Sequence, residues 1–117
     1  MNKIQPGTFV LENIFFEVNK WDLKSNSIIE LDKVFKMLTL NKEINIEISG
    51  HTDNIGDSQS NILLSENRAK AVVNWLVEKV VDSSRMSFKG FGETQPIVDN
   101  SSNENRAKNR RTELTIK

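Results

Sequence analysis

The sequence predicts an α/β fold, an α+β sandwich in which helices pack on a small mixed four-stranded sheet in the order βαβαββ. Two segments carry apolar residues at helical spacing, and shorter segments carry them in apolar runs or at alternate positions. Because strands and helices alternate along most of the chain, crossovers between neighbouring strands are favoured. The 117 residues fit a single domain spanning 1–117, with its core beginning near residue 9.

The first strand and the first helix are predicted in the N-terminal third of the chain. The stretch from Phe9 to Phe16 is rich in apolar and aromatic residues, which favours a strand that ends near Asn19. Ser27, followed three residues later by Glu30, has the spacing of a capping box at a helix start. The apolar residues that follow at helical spacing are predicted to face the core: Ile28, Leu31, Val34, Phe35 and Leu38.

A second strand and a second helix follow. The strand is predicted up to Gly50, because three isoleucines alternate with polar residues before it, at positions 44, 46 and 48. Ser65 is predicted to be the N-cap of the helix, which should end near Asp82. Its apolar face comprises Ala69, Val72, Val73, Leu76 and Val80.

The C-terminal part of the chain is predicted to complete the sheet. Met86 and Phe88 alternate with polar residues in a third strand, and Leu114 and Ile116 do so in a fourth. The polar stretch between them, residues 99–110, is predicted to be a loop with room for a short helix.

Composition excludes several functions. Sixteen Lys and Arg balance sixteen Asp and Glu, so the long-range field that attracts nucleic acids or anionic membranes is missing. With no cysteine and one histidine, neither a disulfide framework nor a metal site is expected, and no cofactor is predicted. The N-terminal stretch lacks the apolar run of a signal peptide, which favours a domain excised from a longer parent.

Asp53 and Arg68 are the charged residues whose predicted positions indicate a binding site. Thr52 and Asp53 follow the second strand, at the end where open α/β sheets bind ligands. Arg68 falls in the first turn of the predicted second helix, where backbone N–H groups favour an anion that the arginine would share, a carboxylate being the simplest. The spacing alone leaves an alternative open, an exposed arginine or an Asp53–Arg68 ion pair that only fastens the loop.

Four sequence blocks resemble those of the OmpA-like peptidoglycan-binding domain, the type found in OmpA C-terminal domains, Pal and MotB. They are Gly50-His51-Thr52-Asp53-Asn54-x-Gly56, Asn61-x-x-Leu64-Ser65-x-x-Arg68-Ala69-x-x-Val72, Gly90-Phe91-Gly92-Glu93-x-x-Pro96 and Asn109-Arg110-Arg111. The blocks stand in the family's order and spacing, from about Phe15 to the C-terminus. Their combination is far more specific than any single block.

The resemblance implies non-catalytic binding of peptidoglycan, with the diaminopimelate of the peptide stem held by Asp53 and Arg68. A carboxylate suits the ligand's ammonium, and a guanidinium can grip its carboxylate as a fork. The resemblance also implies supporting ligand contacts from Phe16, Asn19, Thr52, Asn61, Leu64, Ser65 and Ala69. Glu17 stands where the family often has aspartate. Its longer side chain affects only the ligand contact implied for the loop after the first strand. The block Asn109–Arg111 is implied to tie the last strand to the sheet.

Other functions are less well supported. Ser49, His51 and Asp53 have the residue types of a catalytic triad, but alternate residues of one strand do not by themselves form its geometry, so no enzyme is predicted. The arginines near the C-terminus lack interleaved aromatics, so no nucleic-acid partner is predicted. Trp21 and Trp75 are interpreted as packing residues and not as platforms for sugars, with a ligand contact by Trp21, near the first loop, as the minor alternative. Two alternatives stay open, an interaction module of the same fold with a vestigial pocket and, more remotely, a wall hydrolase.

The resemblance further places the full-length parent in the periplasm. There it would anchor the outer membrane or an envelope complex to the wall, with its membrane attachment in a segment outside this chain.

Overall fold

One mixed sheet is the centre of the fold in the computed structural model, which describes residues 7–16 and 20–117. Its strands are β1 (Gly7–Val10), β2 (Ile46–His51), β3 (Met86–Gly92) and β4 (Arg111–Ile116), in the spatial order β1-β4-β2-β3. The pair β2–β3 is parallel, whereas β2–β4 and β1–β4 are antiparallel. The predicted α/β class and the βαβαββ order are confirmed.

Three helices within the described ranges accompany the sheet. They are α1 (Ile28–Leu40), α2 (Ser58–Glu78) and the short α3 (Asn103–Asn109), which lies in the polar connection between β3 and β4. The apolar stripes of α1 and α2 and the inward faces of the strands form one core, whose members include Leu31, Val34, Leu38, Ile46, Ile48, Ala69, Val72, Val73, Leu76, Leu114 and Ile116. Val80, predicted on the α2 stripe, lies beyond the helix end and is 91% exposed.

The first strand is shorter than predicted. β1 ends at Val10, and its pairing with β4 closes with a hydrogen bond from the Leu11 amide to the Thr112 carbonyl at 2.9 Å. Because β4 begins at Arg111, it has no further residues to pair with the chain after Leu11. The chain therefore leaves the sheet there. Phe16 forms only an isolated bridge with Leu23, and the predicted strand end at Asn19 lies outside the described residues.

The start of α1 lies where it is predicted, without the predicted side-chain cap, whereas the start of α2 differs from the prediction. Ser27 precedes α1 as expected, but its hydroxyl accepts from the Phe15 amide at 2.7 Å instead of capping the helix. The predicted N-cap at Ser65 is wrong, because α2 begins at Ser58 with Asp57 as its N-cap, accepting from the Ser60 amide at 2.9 Å. The first turn of α2 is polar and exposed, and Ile62 and Leu63 in the next turn also face solvent, so this stretch carries no buried apolar stripe that would reveal it.

α2 rests directly on the backbone of β2 and β3. A methyl group placed on Gly50 would lie 2.2 Å from the Ser65 carbonyl oxygen, and one on Gly90 would lie 2.3 Å from the Glu66 nitrogen. The Ser65 hydroxyl accepts a hydrogen bond from the Gly92 amide at 2.9 Å. Glycine at these two strand positions therefore allows the helix to approach the end of the sheet from which Asp53 emerges.

Candidate ligand-binding site

An open cleft of about 1130 Å³ lies at the carboxyl end of β2, bordered by α2, α3 and the segment after β1. Six of the residues predicted from the sequence line it: Phe16, Thr52, Asp53, Asn61, Leu64 and Arg68. Ser65 and Ala69 do not line it, since they are 1% and 0% exposed and pack against the sheet. Asn19 lies outside the described residues.

The carboxylate of Asp53 is held from two sides. The residue is 7% exposed, and its Oδ1 accepts from the Ile55 amide at 2.9 Å. Its Oδ2 accepts from the guanidinium of Arg110 at 2.5 Å. A nearly buried carboxylate needs such partners, because burial of a charge without them is costly. Asp53 is thus paired with the Arg110 guanidinium at the cleft wall.

The loop that carries Asp53 is fastened to its surroundings by short hydrogen bonds. The Thr52 amide donates to the Gly92 carbonyl at 2.9 Å, and the Thr52 hydroxyl donates to the Asp53 carbonyl at 2.8 Å. The Asn61 amide group donates to the Ile55 carbonyl at 3.0 Å, which links the loop to α2. Thr52 and Asn61 therefore position the aspartate, whatever else they contact.

Arg68 enters the cleft from the middle of α2. Its Nε donates to the Lys20 carbonyl at 2.8 Å, and its guanidinium lies 4.9 Å from the centre of the Phe16 ring. These contacts orient a planar group that would otherwise sample many rotamers. Burial lowers the pKa of Arg68, and the positive charge of Arg110 lowers it further. An arginine nonetheless stays protonated, so the two guanidiniums bring like charges close together.

The position of Arg68 corrects the reasoning from the sequence. Because α2 begins at Ser58, Arg68 lies well inside the helix, where the backbone N–H groups are already bonded. Helix-terminal N–H groups therefore take no part in binding an anion beside Arg68. The ion pair with Asp53 is made by Arg110, not by Arg68 as the alternative interpretation supposed.

Arg110 is the site residue that the sequence reasoning missed. The block Asn109–Arg111 was interpreted as structural, and its members divide between two roles. Asn109 is fully buried and accepts from the Ile97 amide at 2.9 Å, whereas the Arg110 side chain is 50% exposed and reaches Asp53. The signal was the pair of adjacent arginines at the junction of α3 and β4, where Arg111 bonds Glu113 within the strand and Arg110, just before it, reaches Asp53.

His51 belongs to a separate buried network. Its Nε2 lies 3.2 Å from Glu113 Oε1 and 3.4 Å from the Ser49 hydroxyl, and its ring stacks on Phe91. Burial lowers the pKa of His51, and Arg111 adds to this effect, while Glu113 opposes it. Because the acid facing His51 is Glu113 and Asp53 bonds elsewhere, Ser49, His51 and Asp53 do not form a catalytic relay.

Residues 7–16 and 20–117 contain no cluster of three or more His, Cys, Asp or Glu arranged to hold a metal ion. Nor does any helix there have the length and apolarity needed to cross a membrane.

Comparison with known proteins gives consistent matches. The OmpA family profile matches residues 15–110. Outer membrane protein Omp38 of Acinetobacter baumannii is 42% identical over 104 residues, which cover 88% of this chain but only 29% of that protein. The structure of a MotB-like protein from Desulfovibrio vulgaris superposes with a TM-score of 0.84 at 27% identity, over 94% of this chain and 73% of that one. The peptidoglycan-associated lipoprotein from Burkholderia pseudomallei gives 0.81 at 25% identity, over 90% and 89%.

Fold and site together define a class. Helices packed on a mixed sheet, with a charged cleft at the carboxyl end of β2, are the architecture of a ligand-binding domain. The chain belongs to the OmpA family of peptidoglycan-binding domains.

Proposed function

We propose that this domain binds peptidoglycan without cleaving it, by holding the diaminopimelate of the peptide stem. The ligand ammonium binds Asp53, and the neighbouring carboxylate binds Arg68 together with Arg110. The observation that carries the proposal is the convergence of one nearly buried carboxylate and two guanidiniums on one open cleft. The free end of a diaminopimelate side chain is an amino-acid zwitterion, which complements that set of charges.

Binding proceeds by exchange of ion pairs. In the structure, Arg110 occupies the Oδ2 side of Asp53, while the Ile55 amide holds Oδ1. The ligand ammonium takes the place of Arg110, whose half-exposed side chain can turn toward the ligand carboxylate. Asp53 is never left buried without a partner during this exchange, which would cost several kcal/mol.

Charge-removing substitutions at the cleft test the clamp. Asp53→Asn keeps the size of the side chain, Arg68→Gln keeps a polar but shorter one, and each removes the charge. Each should weaken binding by about tenfold or more, because a hydrogen bond to a charged group contributes roughly 1.5–3 kcal/mol. Co-sedimentation with purified peptidoglycan measures the loss, and circular dichroism checks the fold. Asp32→Asn, on α1 and outside the cleft, is the matched control.

If Asp53→Asn and Arg68→Gln both sediment with the wall as the unchanged protein does, the clamp is wrong. If the unchanged domain itself fails to sediment, the alternative of an interaction module with a vestigial pocket is favoured. Release of soluble muropeptides would instead indicate a hydrolase.

Ligand specificity tests the arginine half of the clamp. A stem with lysine in place of diaminopimelate keeps the ammonium but lacks the adjacent carboxylate. An amidated stem carries a neutral amide in place of that carboxylate. Both should bind at least about tenfold more weakly than the diaminopimelate stem in calorimetric titrations. Equal affinities for the three peptides would show that Arg68 and Arg110 do not read a ligand carboxylate.

Anchoring to the wall would arise from repetition. A few ionic contacts to a small solvated ligand should give a dissociation constant on the order of micromolar to millimolar. The wall polymer presents many stems, so several domains on one parent or complex would bind far more firmly. We place the domain in the periplasm, on a parent attached to the outer membrane or an envelope complex, which fits the similarity to a peptidoglycan-associated lipoprotein.

A further inference from the structure

A second groove, of about 530 Å³, lies beside the cleft on the outer face of α2. Trp21 and Trp75 contribute aromatic surface to it. Polar residues of α2 at helical spacing contribute amide, ammonium and carboxylate groups along one face: Asn67, Lys70, Asn74 and Glu78. The groove therefore combines flat apolar rings with hydrogen-bond donors and hydrogen-bond acceptors.

The two tryptophans differ in what they offer to a ligand. Trp75 is partly buried against the core, and the Lys79 ammonium lies 5.2 Å from the centre of its ring. It forms part of the groove wall. Trp21 is 48% exposed, which leaves a large aromatic surface facing solvent at the groove. Trp21 is thus the ring on which a ligand can stack.

The balance of charges indicates the chemical class of the ligand. Asp22 and Glu78 contribute carboxylates to the lining and Lys70 contributes an ammonium, so charges of both signs are present and an anion is not favoured. Two asparagines supply both donors and acceptors. A flat aromatic face flanked by amides and carboxylates suits a neutral, polyhydroxylated ring, whose C–H face stacks while its hydroxyls form hydrogen bonds.

The groove also adjoins the charged cleft. The Lys20 carbonyl that accepts from Arg68 immediately precedes Trp21 in the chain, and Asn67 immediately precedes Arg68. Neighbouring Cα atoms lie about 3.8 Å apart, and three extended residues span at most about 10 Å. One molecule that carries a sugar and a short peptide can therefore reach both places.

We propose that this groove is a saccharide subsite, in which Trp21 stacks on an N-acetylated sugar of the glycan strand while the cleft holds the stem. The subsite rests on the proposed function, since the stem brings the sugar to the groove. Asn67 and Asn74 bind the sugar's hydroxyl and acetamido groups.

Two ligands that differ only in the sugar test this subsite. Calorimetry compares a disaccharide-linked tripeptide with the bare tripeptide, both containing diaminopimelate. The unchanged domain should prefer the disaccharide form by about tenfold. Trp21→Ala should abolish that preference while leaving affinity for the bare tripeptide unchanged, and Trp21→Phe should retain part of it. Ile29→Ala, which removes an exposed apolar side chain of α1, should keep the full preference.

Equal binding of the two ligands by the unchanged domain would overturn the subsite and leave the clamp intact. A Trp21→Ala variant whose affinity falls by the same factor for both ligands would also overturn the subsite and leave the clamp intact. Failure of the unchanged domain to bind either ligand would overturn the proposed function and the subsite together.

Discussion

Val80 lies in a backbone conformation that suits glycine. It follows the C-terminus of α2 with a φ of 71°, the left-handed region that β-branched residues rarely adopt. Two hydrogen bonds define the turn as a Schellman motif, from the Val81 amide to the Leu76 carbonyl at 3.1 Å and from the Val80 amide to the Val77 carbonyl at 2.9 Å. Val80→Gly should therefore stabilise the domain.

The size of the gain can be worked from the geometry. The left-handed conformation costs an L-residue roughly 1–2 kcal/mol, and glycine does not bear this cost. Glycine loses about 0.5–1 kcal/mol more backbone entropy on folding. Since the Val80 side chain is 91% exposed, little packing is lost. The net gain should be about 1 kcal/mol, or a rise of roughly 3–6 °C in Tm for a domain of this size.

Thermal and urea unfolding of the Val80→Gly variant measure the effect. Val77→Gly is the matched control, because the same chemical change inside the last turns of α2 should lower the free energy of unfolding by about 1 kcal/mol or more. Opposite signs for the two variants would confirm the argument. A Val80→Gly variant that is less stable than the unchanged protein would refute it.

Three further outcomes are expected. Gly50→Ala should destabilise the fold by about 3 kcal/mol or more in urea titrations, because its methyl group would lie 2.2 Å from the Ser65 carbonyl. Asn109→Asp should cost about 2–4 kcal/mol in the same titrations, since a charge would replace the donor that bonds the Val98 carbonyl at 2.9 Å. Burial lowers the pKa of His51, so the stability that its neutral form contributes to the folded state is fully present above pH 6.5. That stability is lost as the pH falls toward the folded-state pKa. Unfolding at about pH 7.5 and pH 5.5 should show this slope, and His51→Gln should reduce it.

Periodicity predicted the elements that bury an apolar face. α1, α2, β2 and β4 each place apolar residues toward one core, and the pattern of those residues is visible in the chain; β3 adds the partly buried Met86, while Phe88 is 37% exposed. The early start of α2 was not predictable from apolar spacing, because its first turns face solvent and Asp57 supplies the cap. The short β1 was overestimated, because the length of an edge strand depends on its partner and not on its own composition.

The candidate site was predicted in part, and for a reason only half correct. The resemblance pointed to Asp53 and Arg68, and both line one cleft. The physical argument for Arg68 relied on a helix start that lies elsewhere. The pairing of Asp53 with Arg110 joins residues 57 positions apart in the chain, so it depends on how β4 enters the sheet. Spacing within a single element cannot reveal a contact of that kind.

The close contact of α2 with Gly50 and Gly90 also determines what can vary in this domain. Asp53 lies three residues beyond Gly50, and Arg68 lies three residues beyond Ser65, whose carbonyl faces Gly50. The distance between the two halves of the cleft is therefore set by backbone against backbone, and not by the size of any side chain between them. Core residues of α1 and of the strands can therefore be substituted without a change in the width of the cleft. A substitution at Gly50 or Gly90 would alter the width of the cleft directly.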